Sequence, residues 1–105
     1  MNLSEVLLLR TRGFINEIDP DMQAEIMEKG LKRINPKAPD FIVFDPKADR
    51  ERIEDEGRSV ILPSKAKDKV YVKLDDFGSA EALSEDCGFP VSTRFSVVFM
   101  LAGEY

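Results

Sequence analysis

Two stretches of this sequence, Phe41-Ile42-Val43-Phe44 and Phe95 to Leu101, carry large apolar side chains at nearly every position. A strand with one wet face alternates apolar and polar residues. An unbroken apolar run this short implies a strand covered on both faces. A chain with two such strands needs cover for each side of its sheet.

Asn2 followed by Glu5 has the form of a capping box. Leu3, Val6, Leu7, Phe14 and Ile18 recur at helical spacing, with Leu8 and Ile15 widening the stripe. This predicts a helix over 3–18 with a weak point at Gly13, where glycine costs about 1 kcal/mol relative to alanine. Asp19-Pro20 is a helix start, since Asp caps free N–H groups and Pro fits the first helical position. Met22, Ile26, Met27, Leu31 and Ile34 give this second helix its apolar face. Lys29, Lys32 and Arg33 suit the negative end of its dipole, and Asn35-Pro36 ends it.

Residues 45–58 are charged throughout except for Ala48, Ile53, Pro46 and Gly57, which predicts an exposed helix or a loop. Val60 to Leu62 is a short strand stopped by Pro63. In Val70 to Leu74 the alternation of Val70, Val72 and Leu74 with Tyr71 and Lys73 marks a half-buried strand, Tyr71 and Lys73 sharing its outer face. The polar residues between these strands suit a hairpin. Ser79 to Cys87 reads as a short acidic helix ending at Gly88. The expected fold class is α+β: an N-terminal helical pair packed on a mainly antiparallel sheet of about four strands, with a short third helix near 79–87, in one domain over 1–105.

The chemistry open to the chain is narrow. It has no His and one Cys, Cys87. Nucleophile–imidazole catalysis and a zinc centre are therefore excluded within one chain. The loop from Asp45 to Glu56 has the length of a calcium loop but places Lys47 and Arg50 where an oxygen ligand and a glycine are required. Phe41 to Asp45 resembles the first motif of haloacid-dehalogenase-type phosphatases, which needs a second Asp where this chain has Lys47. The segment Val72 to Ala80 is similar to the part of protein kinases that carries an Asp-Phe-Gly triplet, here Asp76-Phe77-Gly78. That family's glycine-rich loop and catalytic His-Arg-Asp segment have no counterpart. No catalytic residue, cofactor site or metal site is assigned from the sequence.

Lys and Arg number 15 against 20 Asp and Glu, a net charge of −5. That field opposes direct nucleic-acid binding and anionic membranes. A lone cysteine and an N-terminal apolar run of only Val6 to Leu9, behind Glu5, point to a reducing compartment and a cytoplasmic protein. The helical pair can cover one face of the sheet, and Ala80, Ala82 and Leu83 offer little for the other. The expected function is a non-enzymatic protein–protein interaction or assembly module, most simply a self-associating structural or adaptor subunit. Its candidate interface residues are Phe44, Tyr71, Val98 and Met100. The acidic surplus at Asp75, Asp76, Glu81, Glu85 and Asp86 supports an alternative, a small inhibitor or nucleic-acid mimic that blocks a basic site. A further alternative is a metal-dependent enzyme using Asp45, Asp75 and Asp76 at strand ends.

Overall fold

The computed structural model describes residues 1–105. It is α+β, with three α-helices and a six-stranded mixed sheet. The strands are β1 (Leu7–Arg10), β2 (Phe41–Asp45), β3 (Arg52–Glu54), β4 (Ser59–Pro63), β5 (Val70–Asp76) and β6 (Phe95–Leu101). The helices are α1 (Arg12–Glu17), α2 (Pro20–Arg33) and α3 (Ala80–Cys87). The sheet order is β1-β6-β5-β2-β4-β3. β5 is antiparallel to both β2 and β6, and β3 to β4; β1 runs parallel to β6, and β2 to β4.

The two strands with apolar residues on both sides take interior positions, as that composition requires. On one face, Phe14, Ile18, Ile26 and Ile34 of the helical layer close over Ile42, Phe44, Val70, Val72, Val97 and Phe99. The Phe14 and Phe99 rings lie 5.9 Å apart in a tilted pair. α2 begins where expected: the Asp19 side chain accepts from Asp21 N at 3.2 Å, Pro20 is the first helical residue, and Lys32 and Arg33 occupy the last turn. α3 is capped by Ser79, which accepts from Ala82 N, and stops at Gly88 with φ of 84°. That left-handed angle is the one that favours glycine at a helix end.

Three expectations are corrected. The first concerns residues 3–18. The capping box forms, with Glu5 Oε1 accepting from Asn2 N at 2.8 Å, but it closes only a 3-10 turn over Leu3–Glu5. Val6 to Leu9 is a continuous apolar run with no helical period of its own, and Leu7 to Arg10 adds to the edge of β6 as a parallel strand. The helix is left with six residues, Arg12–Glu17. The second concerns residues 45–58. They contain β3 and a 3-10 turn, Asp55–Gly57; every β3 side chain is exposed, so the strand leaves no burial pattern to read. The third concerns the hairpin between the strands at 60–62 and 70–74. β2 lies between them, parallel to β4 and antiparallel to β5. The sheet thus has six strands of mixed direction, where about four, mainly antiparallel, were expected.

No helix is long and apolar enough to cross a membrane.

Candidate functional site

Strand register fixes what lies on the sheet face turned away from α1 and α2. One row across it runs Leu9, Val98, Lys73, Phe41, Ser59. The next runs Met100, Tyr71, Val43, Ile61. The side chains of Phe41, Val43, Ile61, Tyr71, Lys73 and Val98 are all half-buried, neither sealed in a core nor fully wet.

The chain end completes this face. After β6, Ala102 N donates to the Lys69 carbonyl at 2.9 Å and a 3-10 turn, Ala102–Glu104, reverses the backbone. Tyr105 then lies against the sheet, its ring 5.5 Å from both Phe41 and Tyr71 in edge-on geometry. Phe41 and Tyr71 are themselves 5.1 Å apart. Edge-to-face packing of this kind adds about 0.5–1.5 kcal/mol per pair beyond area burial. Tyr105 remains 69% exposed, so the trio offers aromatic surface to a visitor. Lys73 Nζ sits 5.9 Å from the Tyr105 ring centre.

These rings line an open groove of about 540 Å³. Two ion pairs line it, Lys73 with Asp75 at 3.4 Å and Arg58 with Asp40 at 3.4 Å, and Asp55 lies beside them with no ion-pair partner. One rim is the β3–β4 turn, where Asp55 and Glu56 both have φ of 54° and Gly57 has 94°. Two non-glycine residues in the left-handed region cost of order 1–3 kcal/mol each, tolerated here at the edge of the groove.

Glu104 holds the chain end in place. Its carboxylate accepts from Thr11 Oγ1 at 2.6 Å, from Gly13 N at 3.1 Å and from Leu101 N at 2.9 Å. The Thr11 hydroxyl, followed by the Leu101 amide, holds the carboxyl below its ordinary value of 4.5. The folded pKa is the lower one, so the contribution to stability is complete above pH 4.5 and is lost as pH falls through the folded value. Glu104→Gln is expected to flatten the acid limb of a melting-temperature profile taken from neutral pH downward. A residual slope will remain from Glu51, which the hydrogen bond from Arg33 also lowers. An unchanged profile would show that the latch is not formed in solution.

Of the four candidate interface residues, Tyr71 and Val98 lie on this face and are half-buried. Met100 lies on it but is only 7% exposed. Phe44 is corrected: it faces the helices and is 1% exposed, because Ile42 and Phe44 share the inner side of β2 while Phe41 and Val43 take the outer. In an apolar run the sequence cannot say which alternate set faces which side. Phe41, Val43 and Tyr105 were not among the sequence candidates. No signal within Phe41 to Phe44 separates its outer pair from its inner one; the ladder that sets Phe41 opposite the outward Lys73 does.

Two of the five acidic residues are in ion pairs. Asp75 pairs with Lys73, and Asp76 pairs with Arg94 at 3.2 Å while accepting from Gly78 N at 2.9 Å. The kinase-like triplet therefore sits in an ordinary strand-to-turn bend. Glu81, Glu85 and Asp86 are exposed on α3 or at its end. Asp45 likewise accepts from its own turn, from Lys47 N at 2.9 Å. No three Asp, Glu, Cys or His side chains are grouped so as to hold a metal ion. What the groove offers chemically is aromatic surface flanked by two ion pairs and the carboxylate of Asp55. Comparison with protein-family models, with curated proteins and with solved structures finds no match.

Proposed function

We propose that the chain is a non-enzymatic protein-interaction module whose contact surface is the aromatic groove on the outer sheet face. The observation that carries this reading is the gathering of Phe41, Tyr71 and Tyr105 edge-on around an open groove. Tyrosine supplies large, rigid contact area at low entropic cost and is enriched where binding energy concentrates. The half-buried Val43 and Val98 extend the apolar surface around it. The paired charges form a polar rim that sets orientation more than affinity.

Lys73 provides the reporter, since its amine lies beside the Tyr105 ring. In-cell cross-linking with an amine-reactive reagent, followed by mass spectrometry, is expected to join Lys73 to a defined set of peptides from another protein chain. A Tyr71→Ala, Tyr105→Ala double variant should lose that set and keep its fold by circular dichroism. An identical set in the variant, or no specific cross-link from Lys73, would overturn the reading.

A further inference from the structure

The two edges of the sheet differ. β3 is guarded: it is three residues long, all exposed, and Arg52 pairs with Glu54 across Ile53 at 3.7 Å. Charged, very short edge strands resist pairing with another chain. β1 has no such guard. It reads Leu7-Leu8-Leu9-Arg10 and pairs on one side only, with β6. Thr11 N donates to the Phe99 carbonyl at 3.0 Å, which sets the odd-numbered residues bonding inward. The backbone N–H and C=O groups of Leu8 and Arg10 therefore point away from the sheet. Leu9, on this strand, is 38% exposed, and Leu3, just before it in the chain, is exposed too.

We infer that β1 pairs antiparallel with β1 of a second copy, about a two-fold axis at Leu8, joining the two sheets into one. An unpaired strand edge takes another strand, and the charges select this partner. Glu5 precedes the apolar run, and Arg10 and Arg12 follow it. None of the three has an opposite charge within ion-pair distance in its own chain. Antiparallel pairing brings the Glu5 end of each copy to the Arg10 and Arg12 end of the other, whereas parallel pairing sets like against like. Leu8 meets Leu8 as a hydrogen-bonded pair, Leu7 meets Leu9, and Val6 meets Arg10. Even residues stay on the helix side and odd residues on the outer face in both copies, as strand pairing demands. Because the β3 edge is guarded, the contact closes as a dimer and does not propagate.

The test is one of register. In a Cys87→Ser background, Leu7→Cys and Leu9→Cys chains are mixed and mildly oxidised. Opposed positions in a non-hydrogen-bonded pair lie about 4.5 Å apart at Cα, within disulfide reach. Leu9 and the Leu9 of a second copy are diagonal neighbours at about 7–8 Å, beyond it. The expected result is a mixed disulfide dimer in several-fold excess over either self-linked one, with the unsubstituted chain sedimenting as a dimer at tens of micromolar. Leu9→Lys should shift that chain to monomer while leaving its circular dichroism spectrum unchanged. A monomer at every concentration, or a dimer without the mixed disulfide preference, would overturn the inference. Tyr71→Ala leaves this dimer intact, so its failure and that of the aromatic groove are read separately.

Discussion

Phe44→Ala is expected to destabilise the fold by about 3–5 kcal/mol, and Tyr71→Ala by only about 1–2 kcal/mol. The two sites are neighbours across the β2–β5 ladder, since Tyr71 is opposite Val43 and Phe44 follows in the next register position. They lie on opposite faces. Phe44 is 1% exposed in the core closed by α1 and α2, so truncation removes a full aromatic side chain and leaves a cavity that close-packed neighbours cannot fill. Tyr71 keeps solvent access, and its loss costs its edge contacts with Phe41 and Tyr105 and part of its burial. Urea unfolding of both variants, with unchanged slopes and shifted midpoints, measures the difference. Equal losses would mean that the outer face is as tightly filled as the inner one, and that no open groove exists.

The same pair marks how far the sequence could be read. The period-2 alternation of Val70 to Leu74 and the turn signals at Asp19-Pro20 and Gly88 are local, and they report local structure correctly. Phe41 to Phe44 carries no alternation, so its inner and outer sets were exchangeable until the ladder with β5 was known. Val6 to Leu9 fits a helical stripe and a buried strand equally well. Only β6, about ninety residues later in the chain, decides between them by offering an edge. β3 was illegible because none of its side chains is buried. The aromatic groove was half-legible: Tyr71 with Lys73 on an outer face follows from alternation, but Tyr105 reaches them through a turn fixed by Glu104 and Thr11, a contact spanning nearly the whole chain.

Close approach between α2 and the sheet sets the second large effect. Gly30 is buried on the inner side of α2, and a Cβ placed there would lie 2.9 Å from Phe99 Cε1, 3.2 Å from Phe99 Cζ and 3.5 Å from Val72 Cγ2. Alanine gains about 1 kcal/mol of helix propensity over glycine. Overpacking a filled core costs about 1–3 kcal/mol. The Phe99 ring is fully buried and held at 5.9 Å from Phe14, so it has no room to swing aside, and the steric cost prevails. Gly30→Ala is therefore expected to destabilise by about 1 kcal/mol. Gly30→Val, which adds two methyl groups and gives up most of the propensity gain, should destabilise by about 3 kcal/mol or more. The cause is separable by a double-mutant cycle. Phe99→Leu removes the ring atoms that crowd Gly30, so in that background Gly30→Ala should become neutral or stabilising, with a coupling of about 1–2 kcal/mol between the sites. Chemical denaturation of the four chains gives the cycle. A stabilising Gly30→Ala in the otherwise unchanged chain would place α2 farther from β6 than the contact distances require, and the depth of the whole inner core would have to be revised with it.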